Sequence, residues 1–256
     1  MNMSIRVVVV GASGRMGATA ARCFYEDPAF EVVGLVDREA VSTSVANIPI
    51  ETDLAACLTH SKPDVMLEFT TGKTAGKHAL IAVKMGVPTV IGATGIPADE
   101  IDAINAATKA SPCLLVPNFS IGAVLMMQFS AMAAKYLPDA EIIELHHDRK
   151  VDAPSGTAMR TAEMISAART RPTTPLPEQQ LKSAGARGAN VAGVTVHSVR
   201  LPGLLAHQEV HFGGVGELLT IRHDSMDRSS FEMGIKLCCS KVNQLKGFVV
   251  GMEHLL

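Results

Sequence analysis

The sequence predicts an α/β chain in two parts: a doubly wound parallel sheet, then an α+β domain on an open mixed sheet. Three observations carry this. Apolar, β-branched segments of strand length recur between helical patterns through the first half, as expected of strands buried on both faces of a parallel sheet. A spaced glycine run separates the first of these strands from the first helix. Near Leu114–Val116 the alternation gives way to a long apolar helix, and later to strands of alternating polarity. At 256 residues, 47% hydrophobic and 19% charged, the chain has the composition of an ordinary globular protein. Its length suits one large or two modest domains.

Taken in order, Ser4–Val10 is the first strand, and an Ala-rich helix follows to about Tyr25. Glu31–Asp37, Val65–Phe69 and Thr89–Gly92 are the next strands, with helical patterns between, which predicts right-handed crossovers. Ile121–Tyr136 reads as one apolar helix, Ile142–His147 as a strand and Thr157–Ala168 as a helix entered from a Ser-Gly-Thr turn. Residues 171–190, with Pro172, Pro175, Pro177, Gly185 and Gly188, read as a long loop and a candidate lid. Val191–Arg200, Ala206–Phe212 and Glu217–His223 alternate like antiparallel strands, with a turn at Gly213–Gly214. The helical stretch Ser229–Val242 is apolar enough to pack back onto the first domain.

A net charge of −2 with no basic stripe argues against a dedicated nucleic-acid surface. The five cysteines are scattered with no CxxC pair or zinc spacing, so they read as buried free thiols in a reducing cytosol, with no metal centre. Val7–Val10 is too short for a signal-peptide core and no span reaches membrane length, so a cytoplasmic location without a membrane partner is expected.

Gly11-x-x-Gly14-x-x-Gly17 stands after a strand and at a helix start, where glycines permit a tight turn, close approach of a pyrophosphate and close helix packing. This marks the first domain as Rossmann-type. Asp37 and Arg38 follow at the end of the second strand. An acid there accepts hydrogen bonds from a ribose diol, and an adjacent Arg pairs with a 2′-phosphate, so NADH and NADPH are both expected. The alternative is a solvated strand end. Arg15, within the loop, is a second phosphate partner. The strand ends at Phe69–Thr70 and Gly92–Ala93–Thr94 line the ligand crevice of such a sheet, near the nicotinamide and its ribose. Pro117–Asn118–Phe119 lies at the changeover between halves, and Asn118 either steers the nicotinamide amide or caps the next helix.

The densest chemistry is the run Glu144–Ala158. His146 and His147 supply imidazoles, the side chain whose unperturbed pKa lies nearest neutral pH, Lys150 adds a cation, and Ser155–Gly156–Thr157 opens a helix whose first amides face an anion. A proton donor, a cation and a carboxylate cradle together suggest reduction of a small acidic substrate. The plainer alternative is a strand end followed by a polar turn.

The segments GASGRMG, EFTTG, GATG, PNFSIG, ELHHDRKVDAPSGTA, GARG around Arg187 and SFEMG occur in this order over most of the chain. Together they resemble the 4-hydroxy-tetrahydrodipicolinate reductase (dihydrodipicolinate reductase) family of the diaminopimelate and lysine route. The resemblance implies a dinucleotide-binding domain over 1–117 completed by 228–256. It also implies a domain over 118–227 that binds a cyclic imine dicarboxylate and assembles a homotetramer through its sheet. It makes His146 the acid, Lys150 the second essential cation, His147 a substrate contact and Ser155, Gly156 and Thr157 the carboxylate-binding turn. Gly11, Arg15, Met16, Gly92, Thr94, Asn118 and Phe119 fall on cofactor-contacting positions. Departures are Glu68 for the usual Asp, Gly72 for Pro, Ala93 for Thr, and Ala206–Glu209 for a commoner Gly-Glu-His.

On this reading nicotinamide reduces the conjugated ring and His146 supplies the proton. Lys150, four residues on, returns to a similar face in a strand or a helix. Asp152 either orients Lys150 or caps the turn. His197, His207, His211 and His223 read as sheet-surface or interface residues. Two rivals are a catalytically silent dinucleotide-sensing homologue and a related nicotinamide dehydrogenase of amino-acid metabolism. Intact His146 and Lys150 speak against the first. The second lacks the HHxxKxDAPSGTA run, and its nucleophilic-cysteine version finds no suitable setting at Cys113.

Overall fold

The computed structural model describes residues 4–39, 48–174 and 180–256. In chain order the elements are β1 (Ile5–Val10), α1 (Arg15–Tyr25), β2 (Phe30–Val36), β3 (Ile50–Glu51), α2 (Leu54–Ser61), β4 (Val65–Glu68), α3 (Gly72–Lys84), β5 (Thr89–Ile91), α4 (Ala98–Ala107) and β6 (Cys113–Leu115). Then follow α5 (Ile121–Ala134), β7 (Asp139–His146), α6 (Gly156–Ala168), β8 (Ala189–Val191), β9 (Val194–Arg200), β10 (Ala206–Gly214), β11 (Glu217–Ser225), α7 (Glu232–Lys241) and β12 (Phe248–Val250). The chain divides into two units, Met1–Phe119 with Arg228–Leu256, and Ser120–Asp227.

In the first unit seven parallel strands lie in the order β12-β6-β5-β4-β1-β2-β3. Val7–Val10 of β1 are fully buried because helices cover both faces of a parallel sheet, which is why the segment is apolar without alternation. The two edge strands, β3 and β12, were not anticipated. Two and three residues are too few to show a period, and pairing with β2 and β6 defines them. Strand β12 brings the chain's last segment into the first sheet, and α7 packs on α1 and β4.

The second unit is a five-stranded mixed sheet, β11-β10-β7-β9-β8. Ile142, Val210, Phe212, Val194 and Val196 face one side and pack with Ala158, Ala162 and Ile165 of α6. Two expectations are corrected here. The stretch 191–200 is not one antiparallel strand: β8 and β9 form a tight hairpin, and β9 runs parallel to β7. Ala192 and Gly193 take φ of +50° and +77°, the left-handed pair that a two-residue turn needs, and Asn190 Oδ1 accepts the Gly193 amide at 3.1 Å. The β10–β11 turn lies at Val215–Gly216, because Gly213 and Gly214 are still paired with Leu218 and Glu217.

The 171–190 loop ends at β8. Its residues 175–179, with Pro175 and Pro177, and with them part of the candidate lid, lie outside the described residues. Among the described residues no helix is long and apolar enough to cross a membrane.

Candidate functional site

Strand β1 runs directly into the glycine loop. Gly11 has φ +79°, and a Cβ there would sit 2.8 Å from the Phe69 carbonyl carbon. A Cβ on Gly17 would sit 2.0 Å from the Gly11 oxygen, so α1 begins hard against the strand end. Gly14 occupies the N-cap of α1 without a side-chain cap, and Arg15 and Met16 open the helix. Uncapped helix amides beside a bare glycine backbone fit a diphosphate. Gly17→Ala is expected to cost about 2 kcal/mol of stability and to abolish NADH binding, since the clashing atom is a backbone carbonyl that cannot swing away. Urea unfolding and a fluorescence titration with NADH check this, and wild-type values in both would refute it.

Asp37 ties this loop to the end of β2. Its Oδ2 accepts the Ser13 amide at 2.9 Å and the Ser13 hydroxyl, and its Oδ1 accepts the Arg38 amide at 2.8 Å. Burial pushes the carboxyl up, but the Ser13 and Arg38 hydrogen bonds outweigh it and hold Asp37 below the usual carboxylate range. The Arg38 guanidinium is exposed, 3.7 Å from Glu39, and Arg15 is also exposed.

The neighbouring strand ends bring three of the expected residues together. The Phe69 and Phe119 rings meet edge-on with centroids 5.4 Å apart. A Cβ on Gly92 would lie 2.2 Å from the Phe69 ring and 2.8 Å from the Phe119 ring. Ala93 is buried beyond them, Thr94 and Pro117 are exposed, and Thr70 and Asn118 are half-buried. The helix-capping role left open for Asn118 belongs to Ser120, whose Oγ accepts the Ala123 amide at 3.4 Å. Two departures have local causes. Glu68 is fully buried, accepts the Thr70 amide at 2.6 Å and lies 2.8 Å from His78 Nδ1 on α3. A Cβ at Gly72 would meet the Gly95 oxygen at 2.3 Å, so no side chain fits there.

In the second unit, His146 closes β7 and is held by a residue not singled out beforehand. Glu144 shares its strand face, is fully buried, and its Oε2 lies 2.5 Å from His146 Nδ1. Arg200, the register partner of His146 on β9, donates to both Glu144 oxygens at 2.9 and 2.8 Å, and the Ser155 amide donates to Oε1 at 3.2 Å. Burial pushes the Glu144 carboxyl up, but bonds from His146, Arg200 and Ser198 win and bring it to about 2. The pattern Glu-x-His within a strand is the signal that points to Glu144, since alternation puts both side chains on one face. A carboxylate depressed on folding stabilises the native state above its ordinary 4.5 and loses that contribution as pH falls toward 2. The unfolding midpoint is therefore expected to fall through that acid window, and less steeply in Glu144→Gln. Scanning calorimetry across pH checks it, and identical slopes would count against it.

The periodicity argument for Lys150 is corrected. β7 ends at His146, and the chain then turns, the Lys150 amide donating to the His147 carbonyl at 3.1 Å. Lys150 Nζ donates to Asp152 Oδ1 at 2.8 Å, so Asp152 partners Lys150, and Ser155 caps α6 by accepting the Ala158 amide at 3.2 Å. Gly156 and Thr157 form the first helical positions, and no protein atom lies within 4 Å of a Cβ built on Gly156. Packing therefore does not demand glycine there. His147 is half-buried, and its Nδ1 has no hydrogen-bond partner among the described residues.

The later histidines divide. His197, His207 and His211 pair with Glu141, Asp224 and Glu209 at 2.8, 2.7 and 3.0 Å. His223 faces α5 instead, 3.0 Å from Ser120 Oγ, and burial lowers its pKa, so in the structure it makes a helix–sheet contact within the second unit, where a sheet-surface or interface position was expected. All five cysteines are free and buried, and burial pushes the Cys113 thiol up to about 12, which removes it as a nucleophile at neutral pH. Cys57 lies with Glu51 and His60 in a cluster whose donor atoms are within 4.8 Å of one another. Burial and then Glu51 hold its thiol at about 12, protonated at neutral pH.

A glycine-looped parallel sheet completed by its own C-terminal strand, with a separate mixed-sheet unit, defines a two-domain dinucleotide-binding protein, and its relatives, named reductases, make the class an oxidoreductase dependent on NADH or NADPH. Models of the dihydrodipicolinate reductase N-terminus and C-terminus match residues 5–119 and 122–256. The chain belongs to the dihydrodipicolinate reductase family. It is 49% identical to the 4-hydroxy-tetrahydrodipicolinate reductase of Moorella thermoacetica over 100% of this chain and 99% of that one. Identity to the enzyme of Geobacillus thermodenitrificans is 46% over 99% and 100%. A dipicolinate-bound dihydrodipicolinate reductase from Paenisporosarcina sp. TG-14 superposes with a TM-score of 0.91 at 39% identity, covering 99% of this chain and 100% of that one. An amine dehydrogenase from Mycobacterium smegmatis shares the fold alone, with a TM-score of 0.67 at 13% identity over 98% and 96%.

Proposed function

We propose that the chain reduces 4-hydroxy-tetrahydrodipicolinate to tetrahydrodipicolinate with NADH or NADPH, in the formation of diaminopimelate and lysine. The observation that carries the reading is the juxtaposition around Glu144 of the His146 imidazole and the N-terminal turn of α6. A proton donor beside an anion cradle is what a cyclic imine dicarboxylate requires.

The residues have distinct tasks. Gly11, Gly14 and Gly17 leave the backbone bare for the diphosphate, and Arg15 and Met16 start the helix that faces it. Asp37 and Arg38 meet the adenosine ribose, and the exposed guanidinium suits a 2′-phosphate. Phe69, Thr70, Gly92, Ala93, Thr94, Pro117, Asn118 and Phe119 form the end of the sheet that receives the nicotinamide. When bound, the dihydronicotinamide form of the cofactor would supply a hydride. Loss of the ring hydroxyl as water leaves a conjugated imine, and hydride addition to its ring carbon makes an enamine. The adjacent carbon takes a proton from His146 Nε2, and the C=N bond re-forms. Lys150 pairs with the growing charge near the ring nitrogen. The amides of Gly156 and Thr157, with the Thr157 hydroxyl, bind one carboxylate, and His147 contacts the substrate. Dipicolinate, the ligand of the Paenisporosarcina relative, is a planar dicarboxylate of this class.

Two units correspond to two tasks, dinucleotide binding by the first and substrate binding by the second. A homotetramer assembled through the second sheet is supported by exposed Leu218 and Leu219 on the edge strand β11. Five free buried thiols support a reducing, cytoplasmic setting. The deciding experiment follows NADH and NADPH oxidation with substrate made freshly from pyruvate and aspartate semialdehyde by the synthase. Turnover with the wild-type chain is expected, and nucleotide binding without turnover would overturn the reading.

A further inference from the structure

The geometry points to Glu144 as the positioning residue that sets both the proton-donating nitrogen of His146 and the place of the carboxylate-binding turn. This rests on the reductase reading above.

Glu144 lies on the same face of β7 as Ile142, which packs with α6. A carboxylate only accepts hydrogen bonds, so the 2.5 Å contact puts a hydrogen on His146 Nδ1. Nε2 is then the nitrogen that gives up a proton and recovers it. The other carboxylate oxygen accepts the Ser155 amide at 3.2 Å, which anchors the first turn of α6 to the same group. Arg200 carries the constraint further. While bridging both Glu144 oxygens, its Nη2 also donates to the Asp152 carbonyl at 2.6 Å, and Asp152 Oδ1 holds Lys150 Nζ at 2.8 Å.

The flanking strands contribute neutral side chains at this level. Ser198 of β9 and Gln208 of β10 are the register partners of Glu144, and the Gln208 amide donates to the Thr161 hydroxyl on α6 at 2.8 Å. Among the described residues the charged groups bonded to Glu144 are thus Arg200 and, when protonated, His146. The desolvation of a buried carboxylate is offset by these donors together, which is why the acid, the turn and the Lys150 segment share one anchor.

Glu144→Gln keeps the shape and removes the charge. It is expected to lower kcat about 100-fold with a smaller rise in KM. It also moves the alkaline fall of kcat down by about one pH unit, because the imidazolium loses its anion and still faces Arg200. Arg200→Met is expected to move that limb the other way. A merely structural Glu144 would reduce the yield of folded enzyme and leave the limb in place, and that result overturns the inference. A second measurement needs no change at Glu144. In 15N-histidine-labelled wild-type protein, the His146 signals, assigned by their loss in His146→Gln, should show the Nδ1–H tautomer in the neutral form. An Nε2–H tautomer overturns the inference even in an active enzyme. An inactive wild type with the Nδ1–H tautomer overturns the reductase reading and leaves this one supported.

Discussion

His146→Gln is expected to lower kcat about 1,000-fold while KM for the dicarboxylate stays within a few-fold of wild type. The asymmetry follows from where the group acts. In the proposed role His146 delivers a proton after hydride transfer, an interaction made in the transition state and largely absent from the bound ground state. The turn proposed to bind the carboxylate is carried by Ser155 and α6 and does not need the imidazole. Stability should change little. The His146 side chain is 15% exposed, glutamine can still donate to Glu144, and Arg200 continues to neutralise that carboxylate. Steady-state kinetics with a urea unfolding curve test this. Wild-type turnover by a folded variant would remove His146 from the acid role.

Lys150→Ala is expected to damage both parameters, lowering kcat about 100-fold and raising KM about 10-fold. A cation that holds an anionic substrate in the ground state and pairs with charge developing at the ring nitrogen contributes to both. Its partner in the structure is the half-exposed Asp152, and ion pairs of that kind contribute little to folding, so the unfolding midpoint should stay near wild type. Lys150→Arg should restore part of KM and little of kcat, because a planar guanidinium does not replace a compact ammonium at a reacting centre. A change confined to KM would make Lys150 a binding residue only.

Much of the first unit was legible because its signals are local. Val7–Val10 is apolar throughout because both sheet faces are covered, and Gly11 and Gly17 are glycines because backbone atoms lie where a Cβ would stand. The pairing of Phe69, Gly92 and Phe119 was legible only as a rule about strand ends in parallel sheets. Edge strands β3 and β12 were not legible, since a strand of two or three residues is defined by its partner. In the second unit the alternation of β9 gave its strand character but not its direction. Period-2 polarity is the same for parallel and antiparallel neighbours, and the Ala192–Gly193 turn reverses the chain within what read as one strand.

The candidate site shows the same division. His146, Lys150 and Ser155 stood out because their chemistry is scarce and their spacing is distinctive. Glu144 did not, although it lies in the same run, because a glutamate in a strand looks like solvated surface until its burial and donors are known. The reason for placing Lys150 near His146 had to change as well: a turn positions it, not the repeat of a strand.

The sequence by itself determined the class of the two sheets and the dinucleotide loop, and it singled out the residues proposed as acid, cation and helix-start turn. Each of these is written in contiguous residues whose backbone or ionisation behaviour is intrinsic. Tertiary structure decided that Glu144 is buried against His146, which of two roles Asp152 takes, and how the Ser155 turn is tied to β7. The local pairs Glu144–His146 and Lys150–Asp152 are joined into one network by Arg200, some fifty residues away in the chain, arriving beside Glu144 across a parallel strand pair. Sequence spacing carries no record of that distance.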